Sequence, residues 1–326
     1  AAITSNGTAS ADSFVITSNS VTVNAGAAQS VASADTLAVD GLGADDLVTV
    51  SAYSQASSTT IDGGAGTADT LNLSAISSNE YLTLNSAGTS ITVSDVTGGG
   101  TAGTLRQTVN NVEVFVAGSG SNTLDLSAWT SDLRIHVTGV NKVEIEKNTG
   151  SASVPVWTKM VSVENVQTVK KGAGKNYVLI DSGASLTSLN VAGASNKTNL
   201  VNGLTEVASV GDRLEAMGKL DQTLFILDGQ AIGSVYDLGG MLRSKLVSTI
   251  NGLASGATLY QTLVALNQIS GVSASGATTA SGDVTIDITL DVQATLSVDL
   301  SLGADLEKVV KVDSLRGDLA TRVQWS

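Results

Sequence analysis

The sequence predicts a mainly β protein: a repetitive β-solenoid, either a β-roll or a parallel β-helix, followed by a smaller α+β region. Three observations predict this fold class, namely the composition, the spacing of short apolar clusters and an internal repeat. The 326 residues are 42% hydrophobic but only 3% aromatic. A solenoid stacks short strands of small β-branched residues and turns at Gly, Asn and Asp, so it needs few large aromatic anchors.

Residues 1–210 carry short apolar clusters separated by Gly, Ser, Asn and Asp. Clusters at intervals of roughly 8–12 residues are typical of an all-β chain with many short strands. The predicted strands are Leu71–Leu73, Leu82–Leu84, Ile91–Val93, Val112–Val116, Leu124–Leu126, Leu133–Val137, Val143–Ile145, Val161–Val166, Val178–Ile180, Leu189–Val191 and Val207–Val210.

A 54-residue internal repeat underlies this spacing. Gly64, Gly118 and Gly172 are equally spaced at this interval, and positions 111–139 align without a gap with positions 165–193. Repeats of this length indicate a stacked architecture. Such a unit divides into three 18-residue coils, which would form a two-strand β-roll, or two 27-residue coils, which would form a three-faced β-helix. The sequence does not choose between these two.

The pattern changes after residue 210, and residues 211–326 are expected to form an α+β cap or assembly region. Apolar residues at helical spacing predict an amphipathic helix near 235–253 and a second helix after it. They are Leu238, Leu242, Leu246, Ile250 and Leu253, then Leu259, Leu263, Leu266 and Ile269. Alternating apolar and polar residues over 283–302 then predict one unusually long strand, which is bent, split by a bulge or paired with a long partner. An unpaired edge of that length would invite another chain.

Two segments carry glycine and aspartate at fixed spacing, residues 40–48 (DGLGADDLV) and 63–71 (GGAGTADTL). Both resemble the G-G-x-G-x-D-x-U-x nonapeptide of RTX proteins, the haemolysin-type calcium-binding repeat. Residues 111–122 and 164–176 resemble the flanks common in such proteins, so the resemblance covers roughly residues 35–200. It implies turns whose carbonyl and carboxylate oxygens bind Ca²⁺, a cation that takes 6–8 oxygen ligands.

The resemblance implies a small number of calcium ligands, all aspartates of these two segments. Asp45 and Asp69 lead the set, which is Asp45, Asp69, Asp40, Asp46 and Asp62. Later turns depart from the pattern, because Asn122 and Asn176 stand where the ligand aspartate is expected and Lys171 and Lys175 add positive charge. The alternative is that the loops keep only their turn geometry and bind no metal.

Composition excludes several kinds of function. The net charge of −13 argues against binding to phosphate backbones, so no nucleic acid partner is expected. The chain has no cysteine, which excludes thiolate chemistry, and no apolar run long enough to span a bilayer. His136 is the one histidine of the sequence and alternates outward with Arg134, so we expect no histidine-based catalytic site. No catalytic residue and no organic cofactor are expected.

These features favour a secreted structural or adhesive protein rather than an enzyme. The acidic, cysteine-free composition resembles that of bacterial surface-layer proteins and large adhesins, and some of those families carry RTX repeats and leave the cell unfolded by type I secretion. The resemblance implies a location on the bacterial cell surface, folding driven by external calcium, and self-association into a polymer or layer.

Two other functions remain open from the sequence. One is an extracellular β-solenoid module that binds a cell-surface glycan or a protein. The other is a β-helix enzyme that degrades polysaccharide, which requires paired carboxylates in a groove. Aromatic residues for sugar stacking are scarce, and Trp129 and Trp157 are the candidates.

Overall fold

The computed structural model describes residues 1–33, 35–151, 155–190, 197–215, 238–278, 284–299 and 316–325. The protein is mainly β, with 46% of its residues in strands and 15% in helices, as the sequence predicted. Two compact units are present: the first comprises residues 1–192 and 276–285, and the second comprises residues 193–275 and 286–326.

The strands of the first unit are short. In chain order they are β1 (Ala2–Asn6), β2 (Ser13–Ile16), β3 (Ser20–Val23), β4 (Gln29–Ser30), β5 (Thr36–Asp40), β6 (Leu47–Val50), β7 (Ser58–Asp62), β8 (Thr70–Asn72), β9 (Glu80–Leu84), β10 (Ser90–Val96), β11 (Ala102–Asn110), β12 (Val114–Val116), β13 (Asn122–Asp125), β14 (Leu133–Gly139), β15 (Lys142–Asn148), β16 (Trp157–Glu164), β17 (Val166–Lys170), β18 (Asn176–Ile180) and β19 (Ser188–Asn190). Residues 276–278 of the strand β20 (Val272–Thr278) also belong to this unit.

These strands form two large sheets. The first sheet has the order β1-β5-β7-β11-β10-β9-β13-β17-β19, and the part of the second sheet in this unit has the order β20-β18-β14-β15-β16-β12-β8-β6-β2-β3-β4. The chain alternates between them, since β5 and β7 pair in parallel in the first sheet while β6 and β8 pair in parallel in the second. Each passage from one sheet to the other therefore makes a turn at the edge of the pair of sheets.

The length of a circuit matches neither of the two predicted coil lengths, and that prediction was wrong. Thr36 lies opposite Ser58 and Leu47 lies opposite Thr70. One circuit is therefore longer than the coil predicted for a β-roll and shorter than the coil predicted for a β-helix. Other circuits are longer because antiparallel strands are inserted within the plane of a sheet, as in β10–β11 and β15–β16. Such insertions leave the parallel register on either side intact.

The 54-residue repeat relates strands of opposite sheets. Leu124 in β13 belongs to the first sheet, whereas its sequence counterpart Val178 in β18 belongs to the second. The repeat therefore marks a unit of one turn and one strand, and this unit occurs at both edges of the pair of sheets.

The core is formed by side chains that alternate inward along the strands. In β14 Leu133, Ile135 and Val137 are fully buried, whereas Arg134 and His136 point outward. Two phenylalanines, Phe14 and Phe115, are among the largest fully buried side chains. Each buried side chain of this size contributes about 1.5–3 kcal/mol of transfer free energy.

The second unit contains the helices. They are α1 (Lys197–Glu215), α2 (Leu238–Leu242), a π-helical segment (Arg243–Val247), α3 (Ser248–Gly252) and α4 (Leu259–Asn267). The two helical regions predicted after residue 235 are present, and their periodic residues Leu242, Leu246 and Ile250 are buried. The predicted strand at Val207–Val210 was wrong, because these residues lie inside α1, where Leu204 and Ala208 form a buried stripe one turn apart. The boundary placed at residue 210 also falls inside this helix.

The long strand predicted at 283–302 is present as β21 (Val284–Asp299). It pairs in antiparallel register with β22 (Arg316–Trp325), from Leu290 opposite Trp325 to Asp299 opposite Arg316. The ends of the prediction, Asp283 and residues 300–302, lie outside the described residues. One edge of β21 is therefore hydrogen-bonded to a long partner strand, which was one of the alternatives open from the sequence.

Candidate functional site

Four acidic side chains are stacked at one edge of the first unit. Asp12, Asp46, Asp69 and Glu113 each directly precede a strand of the second sheet, and these strands, β2, β6, β8 and β12, are neighbours in parallel register. The three aspartates are 5%, 3% and 1% exposed, in chain order. We call these four residues the acid column.

A repeated hydrogen bond holds the acid column in line. The backbone N–H of Asp12 donates to Asp46 Oδ1 at 2.7 Å, the N–H of Asp46 donates to Asp69 Oδ1 at 2.7 Å, and the N–H of Asp69 donates to Glu113 Oε2 at 3.0 Å. Each carboxylate thus satisfies a backbone donor of the preceding turn, which would otherwise be buried without a partner.

A second column consists of backbone carbonyl groups. Gly41 and Gly63 follow β5 and β7 in the same register, and Asn111 follows β11. A Cβ atom on Gly41 would lie 2.2 Å from Asp46 Oδ2 and 2.3 Å from the carbonyl oxygen of Gly63, so a side chain there would clash with both. A Cβ atom on Gly63 would lie 2.2 Å from the carbonyl oxygen of Asn111. Glycine is therefore required where the carboxylate of one turn and the carbonyl of the next turn meet.

The acid column is rich in acceptors and poor in donors. Asp46 Oδ2 is buried and has no hydrogen-bond partner among the described residues. Burial raises the pKa of the Asp46 carboxyl, and the charges of Asp69, Asp12 and Asp45 raise it further. Burial also raises the pKa values of Asp69 and Glu113. Asp69 Oδ2 accepts the backbone N–H of Gly66 at 3.1 Å, whereas the charged form of Asp46 lacks part of the compensation that a buried carboxylate needs.

The first member of the column has a different environment. A hydrogen bond from Asn24 Nδ2, at 2.5 Å, and one from the backbone N–H of Thr8, at 2.5 Å, lower the pKa of Asp12. The electrostatic cost is therefore concentrated at Asp46, Asp69 and Glu113.

The structure separates the five aspartates predicted as calcium ligands. Asp46 and Asp69 are in the acid column. Asp45 is exposed, and its Oδ1 accepts the backbone N–H groups of Thr67 at 2.8 Å and Ala68 at 3.0 Å, which lower its pKa and tie one turn to the next.

Asp40 and Asp62 lie at the ends of β5 and β7, outside the acid column. Asp40 Oδ1 accepts the N–H of Leu42 at 3.0 Å, and Asp62 Oδ1 accepts the N–H of Gly64 at 3.1 Å. Both aspartates thus brace the turn that follows their strand, and Asn111 Nδ2 adds a 2.9 Å bond to Asp62 Oδ1.

The glycine-aspartate pattern includes neither Asp12 nor Glu113, and it favours Asp45 over Asp46 as a ligand. The nonapeptide alignment makes Leu47 the first inward residue of its strand, but Leu47 is 39% exposed and Val48 is 1% exposed. A shift of one residue moves every side chain to the other face of a strand. The signal that identifies the column is an acidic residue two positions before a buried apolar residue, as Asp12 stands before Phe14.

The opposite edge of the unit carries the same hydrogen-bond pattern with amides. The N–H of Glu80 donates to Asn122 Oδ1 at 2.9 Å, and the N–H of Asn122 donates to Gln167 Oε1 at 2.6 Å. The amide of Asn122 also donates to the carbonyl oxygens of Gly118, at 2.7 Å, and Asn165, at 2.8 Å. Unlike Asp46, Asn122 uses both ends of its side chain.

Acidic side chains alone do not make a metal site here. Across the part of the chain that the structure describes, no group of three or more His, Cys, Asp or Glu side chains is placed to hold a metal ion. A cation at the acid column would therefore take one or two carboxylates together with backbone carbonyl oxygens and water, a ligand set that suits Ca²⁺. Asp46 Oδ2, which has no hydrogen-bond partner among the described residues, is the carboxylate oxygen that such an ion would contact.

The histidine and the tryptophans of the first unit lie elsewhere. His136 Nε2 is 2.8 Å from Asp181 Oδ1 on the outer surface. Trp129 is 3% exposed and packs in the interior, whereas Trp157 is half-buried and meets Tyr177 in an edge-to-face contact with ring centroids 4.8 Å apart.

Comparison of the chain with family models, with curated proteins and with solved structures gave no match. Among the described helices, none combines the length and the apolar character that crossing a bilayer requires.

Proposed function

We propose that this protein is an extracellular structural or adhesive protein of the bacterial cell surface, built on a two-sheet β-roll that folds with calcium and then self-associates. The observation that carries the proposal is the buried, unpartnered Asp46 Oδ2 in a column of carboxylates and carbonyl groups. A cation bound there would offset the desolvation of the acid column, whereas without it the like charges oppose folding.

Calcium is the cation that this chemistry favours. The column offers only oxygen ligands, and the chain has no cysteine and a single histidine for softer metals. Extracellular calcium modules work with Kd values on the order of 10⁻⁴–10⁻³ M. Because the ligands come together only in the folded chain, binding energy becomes folding energy outside the cell.

We propose self-association from the two end strands of the first sheet. The first sheet ends at β1 on one side and at β19 on the other. Edge strands present unpaired backbone groups to another chain, so a stack of this kind can grow by adding a second copy.

A second candidate function, a glycan-binding module, has one observation in its favour. Trp157 and Tyr177 are half-buried neighbours on the outer side of the second sheet, with Arg134 5.1 Å from the Trp157 ring and Lys175 4.4 Å from the Tyr177 ring. Partly exposed aromatic and cationic groups together suit an acidic sugar. The ring faces already carry cations, so we rank this function second.

A calcium titration tests the leading proposal. Far-UV circular dichroism and light scattering are recorded on the full chain from chelator excess to about 10 mM calcium, with magnesium as the control, since the weak limit of extracellular sites is ~1 mM. We expect a rise in β signal followed by scattering from ordered particles. A β-rich spectrum in chelator that calcium leaves unchanged would exclude calcium-driven folding.

A further inference from the structure

A cavity opens on the edge that carries the acid column. On this edge the chain crosses from the first sheet to the second between β11 and β12, and next between β13 and β14. Between these two crossings the first sheet contains β10 and β9 and the second contains β16 and β15, and each pair is joined within its own sheet. The inserted antiparallel strands therefore leave a gap between the sheets at a place where a crossing turn would otherwise close the edge.

The walls of the cavity are apolar. Leu84, Ile91 and Val109 lie opposite one another on neighbouring strands of the first sheet, and Met160 and Val161 line the cavity from the second. The four aliphatic side chains are at most 4% exposed. The cavity has a volume of about 100 Å³. Because an apolar cavity of about 150 Å³ binds benzene, this one suits a chain of about four or five heavy atoms.

Hydrogen bonds fix the rim of the cavity. In the turn between β9 and β10, Asn85 Oδ1 accepts the backbone N–H of Thr89 at 3.0 Å. The carbonyl oxygen of Thr89 in turn accepts the N–H of Asn111 at 3.0 Å. Gly88 has φ = 75°, and a Cβ atom there would clash with Met160 Sδ. The opening is therefore shaped before a ligand arrives, which lowers the entropy cost of binding.

Glu113 is the one charged residue among those that line the cavity. Its Oε2 accepts the N–H of Asp69 at 3.0 Å, and it forms no ion pair with a lysine, arginine or histidine that the structure describes. Burial raises the pKa of Glu113, and the charge of Asp69 raises it further. A cationic group in the cavity would stabilise the charged form of this carboxylate.

We propose that this cavity binds an aliphatic ammonium group, with its hydrocarbon chain between the two sheets and its nitrogen at Glu113. An ammonium group donates charge-assisted hydrogen bonds to a carboxylate, and the hydrocarbon chain fills the space between the apolar walls. An inorganic cation would leave the walls without a partner, and a neutral alkyl group would leave the carboxylate without one. The site does not depend on calcium-driven folding and goes beyond the proposed function.

Two sources offer this chemistry, a free short-chain amine and a lysine side chain of a second copy of the protein. Lys147 and Lys171 are suitable lysines, because neither forms an ion pair with an acidic residue in the described part of the chain. The probe n-butylammonium reproduces the lysine side chain beyond its Cα atom and represents both sources.

Methyl NMR of Met160 tests the proposal. The chain has three methionines, and Met160 lines the cavity. The full chain, labelled with ¹³C-methyl methionine, is titrated with n-butylammonium chloride at constant calcium and ionic strength, and Met160→Leu identifies the signal. We expect a saturable shift with a Kd of roughly 1–10 mM, because only about five heavy atoms bind. Met241, in the second unit, should not shift, and n-butanol should bind about tenfold more weakly.

Two variants separate the charge from the shape of the cavity. E113Q keeps an oxygen that can accept the N–H of Asp69 but removes the charge, so it should bind n-butylammonium about tenfold more weakly and n-butanol unchanged. V109I adds a methylene group to the wall and should weaken both ligands. E144Q, which removes one charge from the outer surface of β15, is the matched control and should bind as the wild-type chain does.

The outcomes are distinguishable. A Met160 signal that does not shift would overturn the site, and equal affinities of E113Q and E144Q would reduce it to general attraction of cations to an acidic protein. Equal binding of n-butanol and n-butylammonium would overturn the role of Glu113. Without added amine, a Met160 signal that moves with protein concentration, and no longer does so in K147A or K171A, identifies a lysine of a second copy. A signal independent of concentration identifies a free amine.

Discussion

The hydroxyl group of Tyr53 donates a 2.5 Å hydrogen bond to Oε1 of Glu80. Glu80 is 1% exposed, and its other oxygen accepts the backbone N–H of Gly118 at 2.8 Å. Both oxygens of this buried carboxylate therefore have donors, in contrast to Asp46. The two carboxylates thus differ: Glu80 has a protein donor for each oxygen, whereas Asp46 Oδ2 has none among the described residues.

Removing the tyrosine hydroxyl should destabilise the first unit. In Tyr53→Phe the Glu80 carboxylate loses one of its two donors, and hydrogen bonds to charged groups contribute about 1.5–3 kcal/mol. Urea denaturation in calcium measures the change in the free energy of unfolding. Tyr177→Phe is the control, because the described contacts of Tyr177 are made by its ring, and it should change stability by less than about 0.5 kcal/mol. Equal effects of the two variants would contradict the role of the Tyr53–Glu80 bond.

Stability in chelator should rise as the pH falls from 7. Burial raises the pKa of Glu80 above its ordinary 4.5, only partly offset by the bonds from Gly118 and Tyr53. The folded chain therefore binds this proton more tightly than the unfolded chain, and lowering the pH through the raised pKa relieves the penalty. The contribution of Asp45 to stability depends on pH in the opposite direction. Hydrogen bonds from Thr67 and Ala68 lower the pKa of Asp45 below 3.8, so its contribution is lost only in more acidic solution.

The measurement for this prediction is the Tm from pH 7 to about pH 3 in chelator. We expect a maximum on the acid side of neutrality. Glu80→Gln removes one of the groups whose pKa is raised and should reduce the rise, leaving the share that comes from Asp46, Asp69 and Glu113. Glu144→Gln, on the outer surface of β15, should leave the rise unchanged. A Tm that falls continuously from pH 7 downward would contradict the prediction.

Replacing Ala44 by glycine should stabilise the turn after β5. Ala44 has φ = 67°, a left-handed conformation that costs a residue with a Cβ atom roughly 1–2 kcal/mol. Ala44→Gly removes this cost but adds entropy to the unfolded chain, so the net gain should be about 0.5–1 kcal/mol. The control is Ala65→Gly, since Ala65 is exposed and has no positive φ, and we expect it to destabilise slightly. Thermal unfolding in calcium compares the two variants.

Truncating a buried leucine tests whether the core lies between the two sheets. Leu71 in β8 is fully buried, and Leu71→Ala should cost about 2–5 kcal/mol because it removes apolar contacts and leaves a cavity. Leu105 in β11 is 57% exposed, so Leu105→Ala should stay within about 0.5 kcal/mol. Denaturant midpoints at constant calcium measure both. A larger effect at Leu105 would place the hydrophobic core elsewhere.

The strand content was predictable because its signal is local. Alternation over Leu133–Val137 and the periodic Leu242, Leu246 and Ile250 each identify an element without knowledge of its partners. The stretch at Val207–Val210 failed because a short apolar run is compatible with a strand or with a helix. Only its position inside the longer α1 resolves the ambiguity.

The site was partly predictable for a related reason. Composition and the glycine-aspartate spacing pointed to turns in which Asp46 and Asp69 were among the candidates. The hydrogen bond between Asp12 and Asp46 depends on the register of β2 against β6. The hairpins inserted into the circuits hide that register from the sequence, so the acid column becomes visible only when the strands are stacked.

The inserted hairpin β10–β11 has a consequence for engineering. Its second strand, β11, pairs with β7 in the regular parallel register. In the turn between β10 and β11, a Cβ atom on Gly98 or Gly99 would have no other atom within 4 Å. Open glycine tips of this kind accept foreign sequence with little loss of stability. A peptide grafted between Gly98 and Gly99 would be carried outward once per molecule, so an assembled layer would present it as a dense, regularly spaced array.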